Sequence, residues 1–579
     1  MSAPLNSPNS LLKDSPAPSV HSTPSHTTTV VDKTAPKKKD AQFWFVFIAL
    51  CAACFLSAID LTAVSTALPS IAADFESPDF SWVGSAYALS STALIPWTGG
   101  LAAIFGRRPV MVTALLLFAL GSVLTGAAQN MAMVIAGRSV QGIGGGAILT
   151  MTEIIVCDLV PLNERGAYFG IIGAVWALAS AIGPPIGGGL ASAHAWRWLF
   201  YRAPFTLGLR YRTLTMQAPA VNLPLTGVAL ALVIGFLNVK SPQTTLKEKL
   251  EQMDYANLIF VASATATILG LTWGGSTYSW SSFRVLVPLI VGIVGMIAFV
   301  VVERSYVKHP TVPFDILRHR NSWIGYTATF LHSVCVMALL YFLPTYFQMR
   351  GDSAIQSGVK LFPLSFTIAP LAIAVGISVT VTGHYWVQNL TGWLFAVVGF
   401  GLLTLLKADS SRNMWAGFTV IIGMGVGMLY AATNFPILAP LKPSQQPHAI
   451  TFFGFVRSFG QVFGIAIGST IFSNELTKKL PAEFASQFGD MTGDVAYALI
   501  PQIKNLAEPL RSEVQTAFAD SLRTIWQVLI GIAGLGFIIS LFMKSLPLTA
   551  ETDEEHWGLK EKEKQAGGAR GREEEKVGA

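Results

Sequence analysis

Long apolar runs are the feature of this chain that most constrains its fold. Residues 131–157 form one such run, and a helix needs roughly 20 apolar residues to cross a bilayer. Runs of this kind recur along the chain, and by that length criterion we count about fourteen of them. Inside a bilayer each backbone polar group must find a partner within the chain, so these runs fold as helices. The sequence therefore predicts an all-α polytopic membrane protein.

Composition supports the same class. Of the 579 residues, 52% are hydrophobic and only 12% are charged, whereas soluble domains carry about 25% charged residues. The net charge of +6 comes from bases that lie in loops and tails, so it does not indicate a nucleic-acid partner. The cysteines all lie in apolar runs without the spacing of a metal site, and we interpret them as reduced packing residues. They are Cys51, Cys54, Cys157 and Cys335.

One apolar run contains an arginine at membrane depth. Arg138 shares a helical face with Gln141, Gly142 and Gly145, at spacings of three, four and seven residues. An arginine inside a bilayer costs at least ~2.5–3.5 kcal/mol on insertion scales. Such a residue is tolerated when it faces a partner or a water-filled cavity. The alternative is that Arg138 lies near a helix end and extends its head group to the interface.

The next apolar run, residues 166–191, is unusually rich in glycine and proline. Proline breaks a soluble helix, but neighbouring helices in a membrane satisfy the freed carbonyl groups. This composition predicts a kinked helix that packs closely on its neighbours. The residues that carry the pattern are Gly170, Gly183, Pro184, Gly187 and Gly188.

Two motifs in these runs resemble those of a known family. RSVQGIGGG resembles the R-x-x-Q-G-x-G-G motif of the major facilitator superfamily. GPPIGG resembles the antiporter motif of its fourteen-span drug:proton antiporters, the branch that contains fungal multidrug and toxin efflux pumps. The resemblance covers most of residues 43–546. It implies the major facilitator fold, with about fourteen transmembrane helices in two six-helix halves plus an extra central hairpin.

A loop motif of the superfamily is present with one departure. GGLAAIFGRRPV matches G-x-L-x-D-x-x-G-R-R at Gly99, Gly106, Arg107 and Arg108, but Ala103 replaces the acidic residue. In the family, that carboxylate is thought to lock this gating loop against the other half of the protein. The chain lacks the acidic member of the latch.

The junction after the fifth span is also displaced. WRWLFY resembles the start of a family motif whose N-L-P ending appears here only at residues 222–224. Our hypothesis is that residues 202–220 are a gene-model insertion such as a retained intron. The alternative is a genuine loop, and sequencing the transcript decides between them.

The resulting domain organisation has five parts. We predict a disordered cytosolic tail over 1–42, followed by a first six-helix half over 43–239 and a two-helix hairpin with its linker over 240–303. A second half over 304–546 includes a long outer loop at 473–523, and a charged cytosolic tail covers 547–579. The last part of the outer loop, 510–522, has the spacing of an interfacial amphipathic helix. Because the basic loops fall on the side of the termini, both termini are predicted to be cytosolic.

Transport requires a source of energy. The chain has no Walker-type nucleotide loop, so we expect coupling to an ion gradient. The candidate proton-coupling residues are Asp60, Arg138, Gln141, Glu153 and His332. Asp60 is the strongest candidate because it lies furthest inside an apolar run, while Arg138 cannot itself release a proton. Glu153 is alternatively a water-facing helix end, and His332 a packed structural histidine.

The helices that line the cavity in the family supply aromatic residues and few fixed charges. The candidate cavity residues are Tyr87, Trp176, Tyr341, Tyr430 and Asn434. This set suits a bulky, mostly apolar organic molecule. Each aromatic residue is alternatively lipid-facing or part of the packing.

These observations predict a monomeric proton-coupled antiporter, not an enzyme, that exports drugs, toxins or secondary metabolites. Its partners are a small organic substrate, protons and the lipid bilayer, with no nucleic acid, cofactor or metal. The predicted location is the plasma membrane, with the vacuolar membrane as the alternative. Two rival functions stay open: a siderophore or other small-molecule importer on the same fold, and a membrane sensor that transports nothing.

Overall fold

The computed structural model describes residues 39–75, 82–200, 222–241, 244–275, 278–307, 310–485, 500, 503–552 and 558–559. The described part is helical and contains two isolated β-bridges but no strand. Its helices are α1 Ala41–Phe75, α2 Trp82–Phe105, α3 Arg107–Gly126, α4 Met131–Leu159, α5 Leu162–Ser192, α6 Asn222–Phe236, α7 Leu246–Glu251, α8 Asn257–Trp273, α9 Phe283–Tyr306, α10 Arg320–Met349, α11 Ala354–Val359, α12 Phe362–Thr382, α13 Trp386–Leu403, α14 Arg412–Ala432, α15 Phe435–Leu438, α16 Gln446–Lys479, α17 Ala482–Ala485 and α18 Leu510–Leu541.

The described residues contain 12 helices that are long and apolar enough to cross a membrane. Two further apolar helices are shorter: α6 has 15 residues and α8 has 17. At 1.5 Å per residue, α6 is about 22 Å long, less than the roughly 30 Å of a bilayer core. The predicted polytopic all-α fold is confirmed, whereas the count of fourteen spans stays a prediction.

The helices before and after the hairpin pack in a repeated manner. α1 packs on α5, and α2 and α3 both pack on α4. In the later part of the chain, α10 packs on α16, and α14 packs on α12 and α13. The two sets meet where α5 contacts α12 and where α2 and α4 contact α16. The α8–α9 hairpin packs against α2 through Phe260, Phe299 and Ile95.

One end of the bundle carries the start of α1, and we call it the terminal face. Phe43 of α1 contacts Tyr168 of α5 there, with ring centroids 5.4 Å apart. α4 ends at the same face, because it ends at Leu159 and α5 begins at Leu162. There Asp158 of α4 binds Arg107 at the start of α3. α16 also begins at this face, where Arg165 donates to Gln446.

The structure corrects several predicted boundaries. α16 continues to Lys479 and α18 begins at Leu510, so the outer loop predicted over 473–523 is shorter at both ends. Residues 510–522 are helical as predicted, and they form the first turns of α18, continuous with the last span. The hairpin continues past 303, because α9 ends at Tyr306.

The chain ends were also predicted with errors. α1 begins at Ala41, inside the predicted tail over 1–42, and residues 1–38 lie outside the described part. The tail predicted over 547–579 begins with residues that bind the bundle: Thr549 O accepts a hydrogen bond from Asn163 N, and Gly558 O accepts one from Lys240 N. The segment 202–220 lies outside the described residues.

Close approach of α1 and α5 depends on glycine. A Cβ atom added at Gly187 would lie 2.0 Å from the carbonyl oxygen of Ala63 on α1, a backbone atom that cannot rotate away. Two residues further on, Gly189 has no atom within 4 Å of the same added position. These two glycines of α5 therefore have opposite tolerance for a side chain.

We expect Gly187→Ala to destabilise the protein by about 1–3 kcal/mol, the usual cost of overpacking. The matched change Gly189→Ala should be neutral or slightly stabilising, because alanine favours helix over glycine. Thermal unfolding of both variants in the same detergent measures the difference. Equal melting temperatures would contradict the close α1–α5 contact.

Candidate functional site

A buried ion pair joins α1 and α4. Arg138 Nη1 lies 2.6 Å from Asp60 Oδ2, and neither side chain is more than 1% exposed. Gln141 completes the group, because its Nε2 donates to Asp60 Oδ1 at 3.0 Å and its Oε1 accepts from Arg138 Nη1 at 2.7 Å. The structure thus brings together three of the predicted proton-coupling residues. The alternative in which Arg138 extends to the interface is wrong.

A fourth member of this group comes from α6. Asn222 Nδ2 donates to Asp60 Oδ1 at 2.5 Å, and Asn222 is buried. Sequence reasoning missed this contact, although it identified Asn222 as the displaced start of N-L-P. A polar residue that opens an otherwise apolar run was the available signal. Asp60 therefore accepts hydrogen bonds from three different side chains.

Arg138 also has contacts beyond its ion pair with Asp60. Its Nε donates to Val83 O on α2 at 3.1 Å, and its Cζ lies 4.5 Å from the centroid of the Tyr87 ring. Tyr87 is held in place by a hydrogen bond of 3.0 Å to Ser57 Oγ. Gly145 makes room for the phenol, because a Cβ there would lie 2.0 Å from Tyr87 Oη. The ring face stabilises the guanidinium through a cation–π interaction.

These contacts define a dry charge pair held by α1, α2, α4 and α6. Removing one partner of such a pair leaves an unpaired buried charge, which costs several kcal/mol. A proton on Asp60 would have the same consequence for Arg138. The group can therefore link the protonation of a carboxylate to the packing of four helices.

A second ion pair joins the two sets of helices. Arg457 Nη1 of α16 lies 2.7 Å from Glu153 Oε1 of α4, with 16% and 7% of the side chains exposed. The interpretation of Glu153 as a water-facing helix end is wrong, since the residue is buried between helices.

The gating loop is held on the early helices. Arg107 Nε donates to Asp158 Oδ2 at 2.8 Å, and Arg107 Nη1 donates to Ala102 O at 2.9 Å. Arg108 Nη1 donates to Asn238 Oδ1 at 2.7 Å, just after α6. Gly106 has φ of +92°, a conformation that favours glycine, and it forms the turn between α2 and α3.

Ala103 faces a cavity of about 320 Å³ at the terminal face. The wall combines α2, the two linkers of the hairpin and the start of α16, through Trp97, Gly100, Asp254, Thr311 and His448. Asp254 accepts a hydrogen bond of 2.9 Å from Thr311 Oγ1, which ties the two linkers together. Gly99 packs on Thr451 of α16 beside this cavity.

The antiporter-motif residues place α5 between two neighbours. Gly183 and Gly187 face α1, and the carbonyl of Pro184 accepts a hydrogen bond of 3.2 Å from Thr66 Oγ1. Gly170 faces Ala372 of α12, and Gly188 faces Ile355 of α11. The motif therefore lies along a seam between the earlier and later helices.

The remaining predicted residues have separate environments. His332 is buried, with Nε2 3.1 Å from Val426 O. Tyr430 lies near Arg457, whose Cζ is 5.9 Å from its ring centroid, and Trp176 packs half-buried against α1. Asn434 is buried, while Tyr341 is 41% exposed. The roles predicted for these residues in coupling and substrate binding stay predictions.

The all-helical architecture, the apolar spans and the charges paired at membrane depth define a multi-pass membrane protein of the transporter class. Comparison with known proteins identifies the family within this class. A model of the Major Facilitator Superfamily matches residues 50–209 and 221–465. The gap in this match lies within the segment 202–220.

Curated relatives are similar over nearly the whole chain. The MFS-type efflux pump LUC4 of Fusarium sp is 40% identical over 91% of this chain and 92% of its own length. Efflux pump FUS6 of Gibberella fujikuroi is 38% identical over 91% and 93%. A transporter described as the Acurin A biosynthesis cluster MFS-type transporter, from Aspergillus aculeatus, is 35% identical over 90% and 93%.

A solved structure shares the fold. The human organic anion transporter MFSD10 (TETRAN) aligns with a TM-score of 0.52 over 87% of this chain and 100% of its own, at 15% identity. The chain belongs to the major facilitator superfamily, and several of its relatives are named efflux pumps. It is a membrane transporter rather than an enzyme.

We expect Arg138→Gln to destabilise the protein by about 3–5 kcal/mol, because Asp60 then keeps a buried charge without its counter-ion. The double variant Asp60→Asn/Arg138→Gln removes both charges and should recover part of that loss. Denaturation of the wild type, the single variants Asp60→Asn and Arg138→Gln, and the double variant in one detergent measures the coupling. A double variant as unstable as the sum of the two single variants would show that the pair does not interact.

Proposed function

We propose that this transporter is a proton-coupled antiporter that exports amphipathic organic compounds by alternating access. The observation that carries the proposal is the dry Asp60–Arg138 pair with its two amide donors. A charge pair of this kind changes strongly when its carboxylate changes protonation, which is what ion coupling requires. Glu153 and His332 are further candidate coupling residues.

The energy available from a proton is sufficient. Moving one charge across 100 mV is worth about 2.3 kcal/mol. At 1.4 kcal/mol per tenfold change, this sustains roughly a 50-fold substrate gradient per proton. One coupled carboxylate would therefore suffice for useful export.

The relatives suggest the kind of compound. Two are named efflux pumps, and a third is named for a biosynthesis cluster. We infer that the substrate is a drug, toxin or secondary metabolite, bound among Tyr87, Trp176, Tyr341, Tyr430 and Asn434. The antiporter motif of α5 would form the seam along which the two six-helix halves move. The gating loop at Gly99–Arg108 would close the terminal face.

Orientation follows from the positive-inside rule. Arg107, Arg108, Arg165 and Lys442 lie at or next to the terminal face, so we place that face and both termini in the cytosol. We propose the plasma membrane as the location and a monomer as the working unit. The route from cytosol to exterior then runs along α4, from Glu153 towards Arg138.

Efflux from cells loaded with a panel of amphipathic compounds tests the function. We expect export of at least one compound, and its collapse when a protonophore is added. Export that is insensitive to the protonophore would contradict proton coupling. Improved growth on chelated iron would favour the importer, and efflux that is the same with and without the protein would favour a sensor.

Asp60→Asn and Arg138→Ala should each abolish proton-driven export, because either change leaves one member of the pair without its partner. The measurement is protonophore-sensitive efflux, compared at equal amounts of protein in the membrane. Gly189→Ala, an exposed change on α5, is the control and should export normally. Full export by either variant would remove that residue from the mechanism.

A further inference from the structure

Asp60 and Glu153 differ in how their carboxylate oxygens are occupied. Asp60 Oδ2 accepts from Arg138, and Oδ1 accepts from both Gln141 and Asn222. To take a proton, Asp60 would have to lose one of these donors, and that donor would then be buried without an acceptor.

Glu153 presents the opposite arrangement. Its Oε1 is paired with Arg457, but its Oε2 is buried and has no hydrogen-bond partner among the described residues. Gly454 of α16 lies beside this oxygen: a Cβ atom added there would be 3.9 Å from Oε2. A proton can therefore bind Oε2 without displacing a donor.

We propose that Glu153 is a further site that takes up and releases an exchanged proton, beside the Asp60–Arg138 pair. The inference rests on the proposed function, since it assigns the proton of that antiport. In this step an O–H bond forms at Oε2 of Glu153 with a proton from the exterior water. The same bond breaks when the proton leaves to the cytosol, and no other group is oxidised or reduced.

The other titratable groups near Glu153 do not compete for this role. Cys54 of α1, Cys157 of α4 and Tyr430 of α14 interact with it electrostatically. Thiols and phenols ordinarily have pKa values well above neutrality, so these groups are neutral acids. Arg457 stays charged at any working pH. Glu153 is therefore the member of the cluster suited to gain and lose a proton.

Protonation of Glu153 acts directly on the seam between the helix sets. It removes the charge that holds Arg457 of α16 to α4. Arg457 then still faces the rings of Phe453 and Tyr430, at 5.1 and 5.9 Å from its Cζ. These ring faces make a released guanidinium less unfavourable. The pair can therefore work as a proton-operated lock on the terminal face.

Glu303 provides a matched comparison. It is also buried, and its Oε2 also lacks a partner among the described residues. Its Oε1 accepts from Val312 N, which belongs to the linker that follows its own helix. Glu303 has the same free oxygen but does not bridge the two sets of helices through an ion pair with α16.

Infrared difference spectroscopy of the purified full-length protein tests the assignment without a substrate. On acidification we expect C=O bands from the carboxylic acids that become protonated. One of these bands should be lost in Glu153→Gln, shifted in Glu153→Asp and retained in Glu303→Gln. Identical acid-difference spectra for the wild type and Glu153→Gln overturn the proposal.

A distance measurement tests the lock itself. Spin labels at Asn163→Cys and Lys442→Cys, with the native cysteines replaced, report the separation of α5 and the start of α16 at the terminal face. Glu153→Gln should lengthen this distance at neutral pH, as acidification does in the wild type. An unchanged distance in both cases overturns the lock. Protonophore-insensitive export with an intact Glu153 band would instead remove only the proposed antiport.

Discussion

A charge buried in a bilayer must have a partner, and this requirement organises the described bundle. Arg138 and Asp60 pair at 2.6 Å, and Gln141, Asn222 and the carbonyl of Val83 make hydrogen bonds to the pair. Because α1, α2, α4 and α6 all contribute contacts, their relative positions depend on the two charges. The apolar spans determine that the chain crosses a membrane, while the ion pair determines which helices meet.

α4 carries a second ionic centre nearer the terminal face. Arg138 and Glu153 are fifteen positions apart, which corresponds to about 22 Å along a helix. One centre joins α4 to its early neighbours, and the other joins α4 to α16. A single helix thus connects the site that joins the early helices to the site at the seam.

The sequence predicted much of this arrangement because bilayer physics leaves few choices. Apolar length located the long helices, and the unfavourable burial of Arg138 indicated that it had partners. The partners themselves were harder to predict, since Asn222 and Arg457 are distant in sequence from Asp60 and Glu153. Spacing along one helix shows a shared face but not which helix packs on it. Glu153 was misread for that reason: its position near the end of α4 indicated water, whereas α16 covers it.

We expect export of the compound and entry of a proton to be a single coupled process. Reconstituted protein in vesicles with a substrate gradient but no initial pH difference tests it directly, with a pH-sensitive dye and the compound that shows protonophore-sensitive efflux in cells. We expect protons to move in the direction opposite to the compound, and we expect Asp60→Asn to stop this proton movement. Compound movement without any proton movement would contradict it.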